Sequence, residues 1–298
     1  MTVSASPEHS TVKLPSLRNL LIGTLFAFLW ASASTAGKFG LRSAEPLFLF
    51  TARFLAAGLL MLGWVLAVKR ERMPVTTEWK PLLVFGLFNT TLYLGIFIIA
   101  LQYVTPGITS LAIALNPVLI SIMSARMLGR TVKTSEWVSI AIGCSGVAMA
   151  VWPLLQSGHV QLTGVWMLLL CMVTYSYGSV YYRTIDWKLS RVAINAWQVF
   201  LGGLLLLPFA VIFHRGNNTF DLTFWLSEVW LVVPVSIVSV QLWLILLKAD
   251  AVRASMWLFL CPIFGILVSA VLLDEPVSWM TGGGTTLVLL SLYLGQRN

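Results

Sequence analysis

From Leu20 to Leu294 the chain reads as apolar runs of about twenty residues, separated by short polar or charged links. The runs lie at Leu20–Gly37, Pro46–Val68, Pro81–Leu101, Thr105–Met127 and Ser135–Trp152, then Leu162–Tyr182, Ala193–Phe213, Phe224–Leu247, Ala251–Leu273 and Val277–Leu294. At about 1.5 Å per helical residue each can cross about 30 Å of hydrocarbon. The short alternating segments of a membrane β-barrel are not seen. The pattern predicts an all-α, polytopic membrane protein of ten transmembrane helices.

The fourth run carries Asn116-Pro117 near its centre, where lipid tolerates a broken helix only if protein or an aqueous cavity takes up the freed backbone groups. A shift of 145 positions carries Pro117 onto Pro262, Leu101 onto Leu246, Ser110 onto Ser255 and Ser124-Ala125 onto Ser269-Ala270. It also carries Gly58-Leu59-Leu60 onto Gly203-Leu204-Leu205 and Lys38 onto Arg183. A fixed offset of that size is an internal duplication. It divides the chain into a polar cytoplasmic tail, 1–17, a first five-helix repeat, 18–155, and a second, 156–298. An odd number of helices per repeat makes the two inverted, the common plan of secondary transporters. Arg18, an apolar core and Ala31-Ser32-Ala33 also have the form of a cleavable signal peptide. The match of this run with Thr163–Arg183 under the same shift favours a retained helix.

Composition agrees: 58% of the residues are hydrophobic and 10% charged, against about 25% charged in soluble domains. The net charge of +8 would suggest nucleic acid in a soluble protein. Here it sets topology instead. Lys69-Arg70, Arg126, Arg130, Lys133, Arg183, Lys188, Arg191, Lys248 and Arg253 share one set of boundaries with the N-terminal Lys13 and Arg18. The opposite set holds Lys38, Arg42 and Arg215, with Arg53 inside a helix. The positive-inside rule then puts both termini in the cytoplasm, in the cell's inner membrane. Cys144, Cys171 and Cys261 are odd in number, lack metal-ligand spacing and read as core residues.

Trp30 eight residues before Lys38, Arg53-Phe54-Leu55-Ala56-Ala57, Ser110 through Val118 with Asn116-Pro117, and Leu272-Leu273-Asp274-Glu275-Pro276 stand in that order across the duplication. The set resembles the drug/metabolite transporter superfamily, in particular its ten-helix members built from two EamA domains. The resemblance covers nearly the whole chain from Leu20 onward. It implies a metabolite carrier, often an exporter of amino acids or related compounds, with a basket-shaped central cavity. One departure is Arg130, which stands where the first repeat of that family has the acidic residue matched here by Glu275.

Depth sorts the candidate residues. Trp30, Asn89, Asn116, Tyr175 and Pro262 fall near the bilayer centre, and Trp30 with Tyr175, like Pro117 with Pro262, are repeat equivalents facing across the pseudo-axis. Cavity lining and helix packing both fit the aromatics. Asn89 and Asn116 should face the interior, as substrate contacts or as interhelical hydrogen bonds. Arg53 reads either as a carboxylate receptor or as the partner of Glu45, Asp274 or Glu275. Lys38 and Glu275 are further charges at helix ends.

The expected function is export of small metabolites, neutral amino acids foremost, by alternating access. Every carboxylate is placed in a link or at a helix end, so transport without obligatory ion coupling is expected, with a proton-coupled antiporter as the alternative. A membrane enzyme would need convergent carboxylates or a nucleophile with its base, and a channel would want rings of charge. Small-molecule substrate and lipid bilayer are the expected partners, with no cofactor, no metal and no nucleic acid. A monomer is expected, a dimer being the alternative.

Overall fold

The structure, a computed structural model, describes residues 17–104, 109, 112–156, 161–273 and 278–297. Among these there are helices and no strands. The helical stretches are α1 Leu17–Gly40, α2 Pro46–Val68, α3 Thr76–Ala100, α4 Asn116–Leu128 and α5 Thr134–Gln156. They continue as α6 Leu162–Thr184, α7 Arg191–Ile212, α8 Leu222–Ala249, α9 Ala251–Leu272 and α10 Trp279–Arg297. By length and apolar composition, seven of them (α1, α2, α3, α6, α7, α8 and α9) are able to cross a membrane. The tail, the link 157–160, Ser110-Leu111 and Asp274-Glu275-Pro276 lie outside the described residues.

Several helix ends lie a few residues from expectation, and two of the starts have a visible cause. α3 begins at Thr76, ahead of Pro81, because Glu78 turns back to accept from Val75 N (2.9 Å) and pairs with Arg72 (2.7 Å). α8 begins at Leu222, where Asp221 caps it by accepting from Phe224 N (2.8 Å).

The third helix of each half is not uniformly α. Leu87–Leu92 in α3 and Leu231–Ser239 in α8 are π-helical, and the 145-residue shift lays the first segment within the second. The proline-bearing helices match too. Leu115 N bonds Ala112 O (3.0 Å), and its equivalent Leu260 N bonds the equivalent Trp257 O. Each tightened turn lies two residues before its proline, whose ring would crowd the carbonyl four residues back.

Packing repeats the pattern. α1 packs on α9 as α6 does on α4, α1 on α8 as α6 on α3, and α2 on α8 as α7 on α3. α2 lies against its own equivalent α7, and α5 against α10. Both self-pairs run antiparallel. Gly203 meets Phe54 and Leu55, Gly58 meets Phe200, and Met61 meets Asn195, so numbers rise on α2 as they fall on α7. Ser139 with Ser291, Gly146 with Gly284 and Met149 with Gly283 show the same for α5 and α10.

Candidate functional site

Where the halves meet, four helices contribute rings to one buried aromatic cage. Trp30 of α1 and Tyr175 of α6 touch directly, with centroids 5.7 Å apart. Tyr93 of α3 lies 4.7 Å from Tyr175 and stacks on Trp30 at 6.3 Å, and Trp243 of α8 stacks on Tyr175 at 5.7 Å. All four are buried. The Tyr175 hydroxyl, the neighbouring Ser179 Oγ and Trp243 Nε1 make no hydrogen bond of ordinary geometry. Tyr93 and Trp243 were not among the residues that depth singled out.

Arg53 reaches this cage from α2 and is 2% exposed. Its Nε donates to Ser236 Oγ (2.8 Å), and its guanidinium lies over Phe50 (4.8 Å) and Phe54 (5.2 Å). Nη1 has no partner. With Trp30, Ser34, Phe50, Tyr93 and Phe97 it lines a cavity of about 20 Å³, room for little more than a water. The site is closed as it stands. The expected pairing of Arg53 with Glu45 is not found: Glu45 is held by a loop, and no carboxylate among the described residues lies within 4.0 Å of the guanidinium.

Behind Arg53 runs a buried polar chain. Thr90 Oγ1 donates to Gln198 Oε1 (2.7 Å), Gln198 Nε2 to Asn195 Oδ1 (3.1 Å), and Asn195 Nδ2 to Ser236 O (3.1 Å). It ties the π segments of α3 and α8 together through α7. Arg53 and Gln198 are repeat equivalents, and each binds the π segment of the other half.

The remaining candidates divide. Asn116 is spent on α6, accepting from Ser176 Oγ (3.1 Å) and facing Met172 Sδ, so its side chain joins α4 to α6. Asn89 packs against Gly178 of α6 with Oδ1 unpartnered. Pro117 and Pro262 are buried beside the tightened turns of their helices. Lys38 lies in the last turn of α1, half-buried, away from the cage residues. Glu275 lies outside the described residues. Glu228 corrects the reading of the carboxylates: it sits inside α8, 6% exposed, with Oε1 unpartnered.

Two clasps between the halves flank the cage. At one, Glu45 accepts from Arg215 N (2.9 Å) and Asn217 N (3.1 Å) and meets His214 Nδ1 (3.1 Å), while Thr219 N donates to Ser43 O (2.7 Å). At the other, Arg130 bridges Glu136 (2.5 Å) and Asp250 (3.0 Å). The Glu45 carboxyl is held below the ordinary carboxylate range, chiefly by the Asn217 N–H, with Arg215 N–H and His214 adding to it against partial desolvation. A depressed folded-state value means the clasp contributes above the unfolded carboxylate pKa, about 4.3, and is lost as pH falls through the lowered value. Amides of 213–221 should therefore lose protection from hydrogen exchange near pH 3, after correction for intrinsic rates, and keep it near pH 6. Equal protection at both would deny Glu45 this role.

The sequence profile of the EamA-like transporter family matches residues 17–152 and 162–295. An uncharacterized transporter of Synechocystis sp. is 26% identical over 90% of this chain and 86% of its own. The uncharacterized inner membrane transporter YedA of Escherichia coli is 26% identical over 93% and 91%. A Salmonella typhimurium protein named "Probable amino-acid metabolite efflux pump" is 23% identical over 94% and 95%. One protein of known crystal structure, 22% identical, superposes with a TM-score of 0.75 over 93% of this chain and 97% of its own, which speaks to the fold alone.

Proposed function

The chain belongs to the EamA-like transporter family as a multi-pass membrane protein, and from that premise we propose that it exports small metabolites, neutral amino acids foremost, by alternating access. The observation that carries this is the closed aromatic cage at the meeting of the repeats, with Trp30 against Tyr175 and a clasp between the halves on either side of it. Carriers with duplicated halves bind substrate at the repeat interface. Ten spans, inverted halves and cytoplasmic termini belong to the same proposal, and the antiparallel packing of α2 on α7 and α5 on α10 supports the inversion. The Salmonella relative's name favours amino acids as cargo.

Counterflow of labelled amino acids into loaded proteoliposomes tests the reading. Saturable exchange of at least one is expected, and none across the set would sink it. In a chain stripped of its three native cysteines, a cysteine at Ser157 should label from outside intact cells and one at Glu71 should not. The reverse pattern would overturn the topology. Transport without ion coupling was expected because no carboxylate stood inside a span. Glu228 inside α8 removes that support, and an imposed pH gradient in the same vesicles reads the driving force directly.

A further inference from the structure

Phe28, Ser32, Thr35, Ala36 and Phe39 recur at helical spacing on α1, on the face turned about 180° from Trp30, Ala33 and Ser34. With α8 and α9 they border a groove of about 860 Å³, against about 20 Å³ in the cage. Its rims are apolar and exposed, Leu226 of α8 and Val271 of α9 among them. On helices able to cross a membrane, such rims face hydrocarbon.

What fills the groove follows from its walls, its length and its mouth. Trp230 Nε1 donates to Ser32 Oγ (2.9 Å), which itself donates to Leu29 O (2.7 Å), so these polar atoms need nothing from a ligand. Among the described residues, no buried polar atom left without a partner belongs to the lining, in contrast to the cage. Such walls suit a hydrocarbon chain and would strand the charged ends of an amino acid. Phe28, edge-on to Phe264 at 5.7 Å, closes the deep end. From Phe28 to Phe39 the groove runs about 16 Å, half of the roughly 30 Å hydrocarbon core and so the depth of one leaflet. At the mouth, just beyond the end of α1, the exposed Arg42 lies over the Phe39 ring (4.7 Å). It has no ion-pair partner among the described residues, and Asp221 at the same end of α8 is engaged in its cap. A cation at headgroup level above a slot one leaflet deep matches a phosphodiester.

We propose that this groove is a phospholipid site, in which one acyl chain lies between α1, α8 and α9 and the phosphate sits on Arg42. The lipid is then a removable wall behind the helix that carries Trp30, and its occupancy bears on how α1 is held against the cage. The site needs only the membrane-spanning fold and does not depend on what the carrier moves.

Native mass spectrometry of the delipidated protein in detergent tests this, with phosphatidylglycerol, phosphatidylethanolamine and diacylglycerol of the same chains as probes. The wild-type protein should bind one phospholipid of either kind in preference to diacylglycerol. Arg42→Gln, an exposed change, should weaken both phospholipids about fivefold, the effect of one exposed charged contact, and leave diacylglycerol unchanged. Ala36→Trp fills the slot and should abolish binding of all three. Where that variant fails to fold, Leu267→Trp on the exposed wall of α9 takes its place. Equal binding of phospholipid and diacylglycerol by the wild-type protein would overturn the site, as would unchanged binding once the groove is filled. A loss in Arg42→Gln confined to phosphatidylglycerol would mean that net charge is read and not the phosphate, and would overturn it too. A dimer that persists in the presence of lipid and is lost in Ala36→Trp would give the groove to a second copy of the chain instead.

Discussion

Alanine placed in turn at Gly282, Gly283 and Gly284 is expected to give three different outcomes, the last being separation of α10 from α5. A Cβ at Gly282 meets nothing within 4 Å, so alanine there should be neutral or gain up to about 1 kcal/mol of helix propensity. At Gly283 the Cβ would come 2.6 Å from Met149 Cε, the far end of a flexible side chain that can swing aside. At Gly284 it would come 2.4 Å from Gly146 O and 2.7 Å from both Ala150 N and Ala150 Cβ. Backbone has nowhere to go. The helices must part, at a cost of about 1–3 kcal/mol for alanine and more for valine. The check is thermal unfolding of the purified protein in detergent. A Tm several degrees lower for Gly284→Ala alone is expected, and equal Tm values for all three would mean that α5 and α10 do not pack through this face.

Tyr175→Ala is expected to abolish transport, and Tyr175→Phe to reveal why. The ring touches Trp30, Tyr93 and Trp243 at once, so alanine removes the centre of the cage and costs about 3–5 kcal/mol of packing. Lost transport in that variant alone does not separate structure from binding. Phenylalanine keeps the ring and removes only an oxygen that has no protein partner. Stability should therefore be unchanged or slightly raised. If the hydroxyl donates to substrate, transport should still fall by about tenfold, the worth of one good hydrogen bond. Wild-type transport by Tyr175→Phe, with a folded protein in normal amount, would reduce the residue to packing. Asn116→Ala, by contrast, should act on stability, since its side chain is committed to Ser176 and Met172.

Much of this architecture was legible in the apolar runs. The starts of α2, α6 and α9, and the equivalence of the two proline helices, lie where the pattern placed them. The contact between Trp30 and Tyr175 follows from two positions 145 residues apart at equal depth. Depth, however, says nothing of direction around a helix. Asn116 was singled out by depth, and its side chain points at α6. Tyr93 and Trp243 escaped notice because their repeat equivalents are Val238 and Ile98, so no paired chemistry marks them. Glu228 was assigned to a helix end because α8 was expected to start at Phe224, and the Asp221 cap sets it further inside. The partner of Arg53 is a serine on a helix 183 positions away, a pairing that no local pattern encodes.

The two π segments set the angular phase of the helix beyond them. Each α-helical residue turns the chain by about 100°, so a helix that accommodates an extra residue in a wide turn points everything past it in a new direction. Tyr93 comes immediately after the wide segment of α3, and Trp243 lies just beyond that of α8. Half of the cage is therefore aimed by irregular turns and not by the side chains that build it. Deleting one residue from 87–92 would leave α3 unbroken and as apolar as before, yet swing Tyr93 and Phe97 about a quarter-turn away from Trp30 and Tyr175. A carrier assembled this way can be disarmed by the loss of a single codon that removes nothing from the site itself.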